Sequence, residues 1–237
     1  MHYFALLLSP ETDHPAEPAD QAAEMAAYQA FHTAAAAAIR GGDALLPSST
    51  GVRISGGPDH PSITDGPFAE SAEVAGGYYV FEADNLDEAL ELARQIPAAK
   101  HGGVEIWPMA DPAAPVALEG TNWLALLLEP PERPVTPGSA QWQEGVARHI
   151  EFGNAAGEHL RGGAGLHPPS TATTVRVRDG KTTFTDGPYV EGAEVANGFY
   201  VISAADRDEA VKIAAMIPAT AVELRQLAGF GTAAVAG

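Results

Sequence analysis

One stretch of this chain occurs twice. Residues 64–80 read TDGPFAESAEVAGGYYV and residues 185–201 read TDGPYVEGAEVANGFYV, with 12 of 17 aligned positions identical. The offset between Asp65 and Asp186 is 186 − 65 = 121 residues, about half of the 237-residue chain. A repeat on that scale is a whole folding unit, since solenoid modules repeat every ~20–50 residues. The chain therefore divides into two copies of one domain. We place the boundaries at residues 1–112 and 122–237, with 113–121 as linker.

Composition narrows the function classes. Cysteine is absent, which excludes disulfides, thiol nucleophiles and cysteine-bound metals. The net charge of −18 repels phosphate backbones and anionic lipid, so nucleic acid and membrane surfaces are not expected partners. No apolar run approaches the ~18 residues of a membrane span, and the first residues, MHYFALLLSPETDH, lack a basic leader. They read as a buried strand of a cytoplasmic protein.

Taken in order, residues 3–9 (YFALLLS) and 123–129 (WLALLLE) are continuous apolar runs, each followed by proline. A strand apolar on both sides must be covered on both faces. A long helix follows in each copy, over about 19–40 and 139–161, which we read as closed by Gly41-Gly42 and Gly162-Gly163. Next comes a hairpin with its turn at 55–58 or at Asp179-Gly180, returning into the TDGP corner. The strands GGYYVFE and NGFYVIS follow. Asn85 and Asp206 then cap a short second helix, with Glu88 and Glu209 three residues on. Its apolar face is Leu86, Ala89, Leu90, Ala93 and Ile96. A last strand, VEIWPM or VELRQL, ends each copy.

Each copy thus reads β-α-β-β-β-α-β, an antiparallel sheet with helices on one side. The uncovered apolar face needs a partner, and the same face of the other copy supplies one. We expect an α+β protein of two tandem ferredoxin-like domains, packed sheet to sheet as an intramolecular pseudo-dimer. It would act as a monomer of that kind or as a homodimer.

The residues around the corner resemble the YCII-related family, in its DGPF branch. They are Asp65-Gly66-Pro67-Phe68 with Glu70 and Glu73 through Tyr79, and Asp186-Gly187-Pro188-Tyr189 with Glu191 and Glu194 through Tyr200. Leu46-Pro47, Leu166-His167-Pro168 and the closing Val104-Glu105-Ile106-Trp107-Pro108 also fit. The resemblance implies the dimeric α/β-barrel superfamily, which includes muconolactone isomerase-like enzymes and chloromuconolactone dehalogenase-like enzymes. It also implies an association with extracytoplasmic-function sigma factors and a His–Asp catalytic pair. Family helices carry a His three residues before a Phe: His149 and Phe152 match, whereas the first copy has Tyr28 and Phe31. The second copy closes on Glu223-Leu224-Arg225, without Trp-Pro.

The candidate catalytic residues are Asp65, Asp186 and His149. Each aspartate is either a turn former or a carboxylate at the sheet rim that orients a histidine or acts as a base. His149 is either a surface helix residue or an acid/base. Glu73 and Glu194 either bind a cationic or hydroxylated ligand or neutralise their loop. Tyr79 and Tyr200 either line the inter-sheet cavity with their hydroxyls or sit in the core. His32 and His101 have no counterpart in the other copy, which argues against a duplicated role. The eight histidines form no HExxH, and no glycine pair sits in a GxGxxG or phosphate-loop context, so neither metal nor cofactor is expected. The leading reading is a protein that binds a small organic molecule, with isomerase-, lyase- or hydrolase-like chemistry. The alternatives are a regulatory module that contacts a protein partner and a scaffold with a structural corner.

Overall fold

The first apolar run forms β1 (His2–Ser9), and α1 (Pro18–Ala35) crosses behind it. Then come β2 (Ile39–Ala44), the hairpin β3 (Val52–Ser55) and β4 (Ser62–Asp65), β5 (Val74–Glu82), α2 (Leu86–Ala93), the short α3 (Ala98–His101) and β6 (Gly103–Ala110). The second copy repeats this as β7 (Asn122–Glu129), α4 (Ala140–Ala156), β8 (Leu160–Leu166), β9 (Thr173–Arg178), β10 (Lys181–Asp186), β11 (Val195–Ser203), α5 (Arg207–Ala214) and β12 (Ala221–Gln226). The computed structural model describes residues 1–10, 17–67, 73–110, 117–130, 135, 138–188 and 194–231. Phe68, Glu70, Tyr189, Glu191 and the start of the linker lie outside the described residues.

The strand count corrects the sequence reading. Gly41-Gly42 and Gly162-Gly163 do not stop the long helices; they lie inside strands β2 and β8, giving each copy one more strand than expected. The helices end earlier, at Ala35 and Ala156. The physical reason is close approach. A Cβ on Gly42 or Gly163 would collide with the ring of Tyr79 or Tyr200 on the neighbouring strand, so only glycine fits there.

The face-to-face packing stands as expected. Phe4, Leu6, Tyr78 and Trp107 meet Leu124, Leu126, Phe199 and Val201 in one central cluster. Phe4 stacks on Phe199 with ring centroids 4.4 Å apart and lies 5.8 Å from Tyr78. Two further clusters fill the spaces between each sheet and its own helices, with Ala89, Ala93 and Ile96 buried in the first. The caps hold too: Asn85 and Asp206 accept from the amides of Glu88 and Glu209, whose carboxylates reach back to the amides of Asp84 and Ala205.

The copies also exchange hairpins. β3 of the first copy pairs with β12 of the second, from Ser55↔Ala221 to Val52↔Leu224. In return, β9 of the second pairs with β6 of the first through Val104, Glu105 and Ile106. β6 also meets β8 at Met109↔Leu166, and β2 reaches the end of β12 by the Leu45↔Leu227 bridge. Both sides of the sandwich are stitched across copies, and the short, exposed strands β4 and β10 form outer edges.

Candidate functional site

Side chains alternate across a strand, and that alternation decides where the tyrosines point. Tyr78 and Phe199 take the shared core, so Tyr79 and Tyr200 face the opposite way, under the long helices. The expectation that Tyr79 and Tyr200 line the inter-sheet cavity is therefore corrected. Each hydroxyl instead meets a histidine from the helix above. His149 Nδ1 lies 3.0 Å from Tyr200 Oη, and His32 Nε2 lies 2.7 Å from Tyr79 Oη.

At its aligned position in the other copy, His32 has no histidine counterpart. By the 121-residue offset His149 aligns with Tyr28, and His32 sits four residues later. Four residues are one helical turn, so both positions share a face. The pair is duplicated after all, through different ring nitrogens, because the histidine has moved one turn along its helix. Comparing the copies with a one-turn tolerance would have found it; position-by-position alignment could not.

Burial shapes the charge state of the second pair. It pushes His149 below its ordinary value of 6.5, Arg148 adds to that, and Glu129 opposes it. Burial pushes the Tyr200 hydroxyl up to about 12. Both groups are neutral near pH 7, and the hydroxyl keeps its proton. In the first copy burial also raises Tyr79, with Tyr28 and Asp43 adding to the effect.

A pH prediction follows from His149. Its folded value lies below its unfolded one, so the unfolded chain binds the extra proton first as pH falls. This part of the stability is complete above ~6.5, is lost as pH drops through the folded value, and is constant below it. Urea unfolding between pH 8 and pH 5 should therefore show a loss of stability that His149→Phe reduces. An unchanged slope in that variant would count against a buried, neutral His149.

Near the start of α4, Trp142 borders a cleft. It is shallow and open to solvent, with a cavity volume of about 30 Å³, and is lined by residues including Glu129, Trp142, Pro168, Pro169 and Asn197. Trp142 precedes His149 by seven residues, two helical turns or about 10 Å. His149 and Tyr200 do not line the cleft; Glu129, which does, acts electrostatically on His149. Its carboxylate is fixed by the amide of Thr220 at 2.8 Å and by the Thr220 hydroxyl. Asn197 occupies a β-bulge, where the register slips between Ala196 and Gly198, and a bulge re-aims a side chain at a strand end. Glu129, Trp142 and Asn197 carried no motif signal; only the fold brings them together.

The other predicted residues lie elsewhere. Glu73 takes both terminal nitrogens of Arg176, each at 2.7 Å, and Glu194 pairs with Arg53. Each of these glutamates thus holds an internal cation, an arginine on the other copy's hairpin. Asp65 pairs with Arg207 at the start of α5. Asp186 is exposed at the end of β10, on a hairpin docked against the first copy's β6. The structure does not bring Asp186 and His149 together: the histidine's hydrogen-bond partner is Tyr200. Among the described residues no cluster of three or more His, Asp or Glu is placed to hold a metal, and no helix is long and apolar enough to cross a membrane.

Comparison with known proteins adds three findings. The model of the YCII-related domain matches residues 3–111 and again 128–228. An uncharacterized protein of Rhizobium meliloti (strain 1021) is 34% identical over 68 residues, covering 28% of this chain and 55% of that protein. The chain thus spans about half the length of that curated relative. A solved structure named "Putative Chlorite dismutase" aligns over 95% of this chain and 94% of its own, at 9% identity and a TM-score of 0.43.

Proposed function

The chain belongs to the YCII-related domain family, and on that premise we propose that it binds a small organic molecule at the cleft bordered by Trp142, with one end reaching along α4 to His149 and Tyr200, which move a proton on it. The observation that carries this reading is the retained His–Tyr hydrogen bond, present in both copies although the histidine stands on different helical turns. A neutral imidazole is a base and a protonated phenol is a donor, and a proton shift of the isomerase or lyase kind needs one of each. Trp142 and the prolines supply apolar walls, and Asn197 and Glu129 supply polar contacts at the rim. The DGP corners then hold the hairpins in place, and Asp65 and Asp186 act through the fold.

A thermal-shift screen of small acids, lactones and amines tests this. A ligand at 100 times its Kd adds about 2.7 kcal/mol, enough to raise Tm visibly. The expected hit disappears in Trp142→Ala and persists in Asp186→Asn, and His149→Asn keeps binding but loses turnover of that compound. A hit that survives Trp142→Ala and vanishes in Asp186→Asn would move the site to the corner. No hit in any class would favour the regulatory module that contacts a protein.

A further inference from the structure

The two seams between the copies differ. Where β6 meets β8, strand pairing continues through Ala110↔Gly165, and the His167 amide donates to the Pro108 carbonyl. Where β2 meets β12, the Ala228 amide donates to the Ala44 carbonyl and the chain runs on as Ala228–Gly231. None of those four residues is buried, and Phe230 is 68% exposed. The segment is held by one carboxylate instead. The amides of Gly229 and Phe230 donate to Asp43 at 3.1 and 3.0 Å, beside the Ala44 amide at 2.8 Å.

The copies show that this carboxylate is not required by the fold. Asp43 pairs with Tyr78 across the sheet, and the equivalent pair in the second copy is Ala164 with Phe199. Arg225 stands where the first copy has Trp107; it is buried, donating to the Leu46 carbonyl and Glu223. One seam therefore carries an acid, a phenol and a guanidinium where the other carries a methyl, a phenyl and an indole. A carboxylate that is only 8% exposed is costly unless donors meet it. Burial pushes its pKa up, and the amides of Gly231, Phe230, Ala44 and Gly229 pull it back.

We propose that the Asp43 end of this seam is a docking site for a short, turned peptide segment, filled here by Ala228–Gly231 as a releasable strap with Asp43 as its catch. Recognition is by consecutive backbone N–H groups converging on one carboxylate, which requires a turn between them. Gly229 provides it with φ at +82°, in the left-handed region that glycine enters freely. A Cβ on Gly231 would press on the Asp43 carboxylate and the Gly42 carbonyl, so the site also selects a small residue there.

Amide hydrogen exchange on the full chain tests this. In Asp43→Ala, exchange at Gly229 and Phe230 should rise at least about tenfold, while amides of β1 and β7 keep their wild-type rates. Asp43→Asn, which keeps one acceptor oxygen, should fall between. In the unmodified chain the same two amides should exchange by a local opening that low urea does not accelerate. An excess of acetyl-Ala-Gly-Phe-Gly-amide should speed their exchange by competing for Asp43. Unchanged protection in Asp43→Ala, exchange only through global unfolding, or indifference to the peptide would each overturn the proposal.

Discussion

Replacing Phe4 with alanine should destabilise the whole chain by about 3–5 kcal/mol, the range for truncating a buried aromatic residue. Phe4 is fully buried and lies between Tyr78 of its own sheet and Phe199 of the other, so its removal opens a cavity at the centre of the sandwich. The cost falls on both copies at once because neither sheet can cover that face alone. Urea unfolding followed by tryptophan fluorescence and by far-UV circular dichroism should give coincident transitions, shifted to lower urea with an unchanged slope. Two separated transitions, with only the first copy affected, would show that the copies fold independently.

The second large effect is expected at the cross-copy ion pair. Arg176 grips Glu73 with two parallel hydrogen bonds, and the two side chains are only 22% and 13% exposed. Removing one partner takes the opposite charge away from a largely buried ion. The full penalty for a buried pair is ~3–5 kcal/mol, and partial solvent access reduces it to about 2–3. Glu73→Ala should cost that much, and the double variant with Arg176→Ala should cost clearly less than the sum of the two singles. The exposed pair of Arg40 and Glu82 is the control, for which the same cycle should show little coupling. Additive losses at Glu73 and Arg176 would mean that the two act separately and that their contact does not tie the hairpin down.

Much of this architecture was legible in the sequence. Strands such as YFALLLS, apolar on both sides, require two covers, and the repeat supplies the second. The caps at Asn85 and Asp206 and the turn at Asp179-Gly180 are local chemistry, and local chemistry is what a sequence displays. The misreadings share a physical origin. Gly42 and Gly163 look like helix stops because glycine often ends helices, but here they admit a ring from the next strand. Glu73 and Glu194 look like ligand carboxylates, but their cations come from the other copy's hairpin, and no local pattern says which copy a hairpin joins. The sequence leaves open which face Tyr79 and Tyr200 take, because an evenly apolar strand hides its own alternation. The cleft itself, from Glu129 to Asn197, draws on four segments and had no sequence signature at all.

The most direct test of the proposed site is chemical-shift mapping with the strongest compound from the thermal-shift screen. Binding at the cleft and along α4 predicts that the Trp142 indole, the Asn197 side-chain amide and the His149 ring shift together and saturate with one Kd. Shifts gathered instead on Asp186 and the β9–β10 hairpin, with Trp142 and His149 unmoved, would contradict the Trp142 cleft and return the site to the DGP corner.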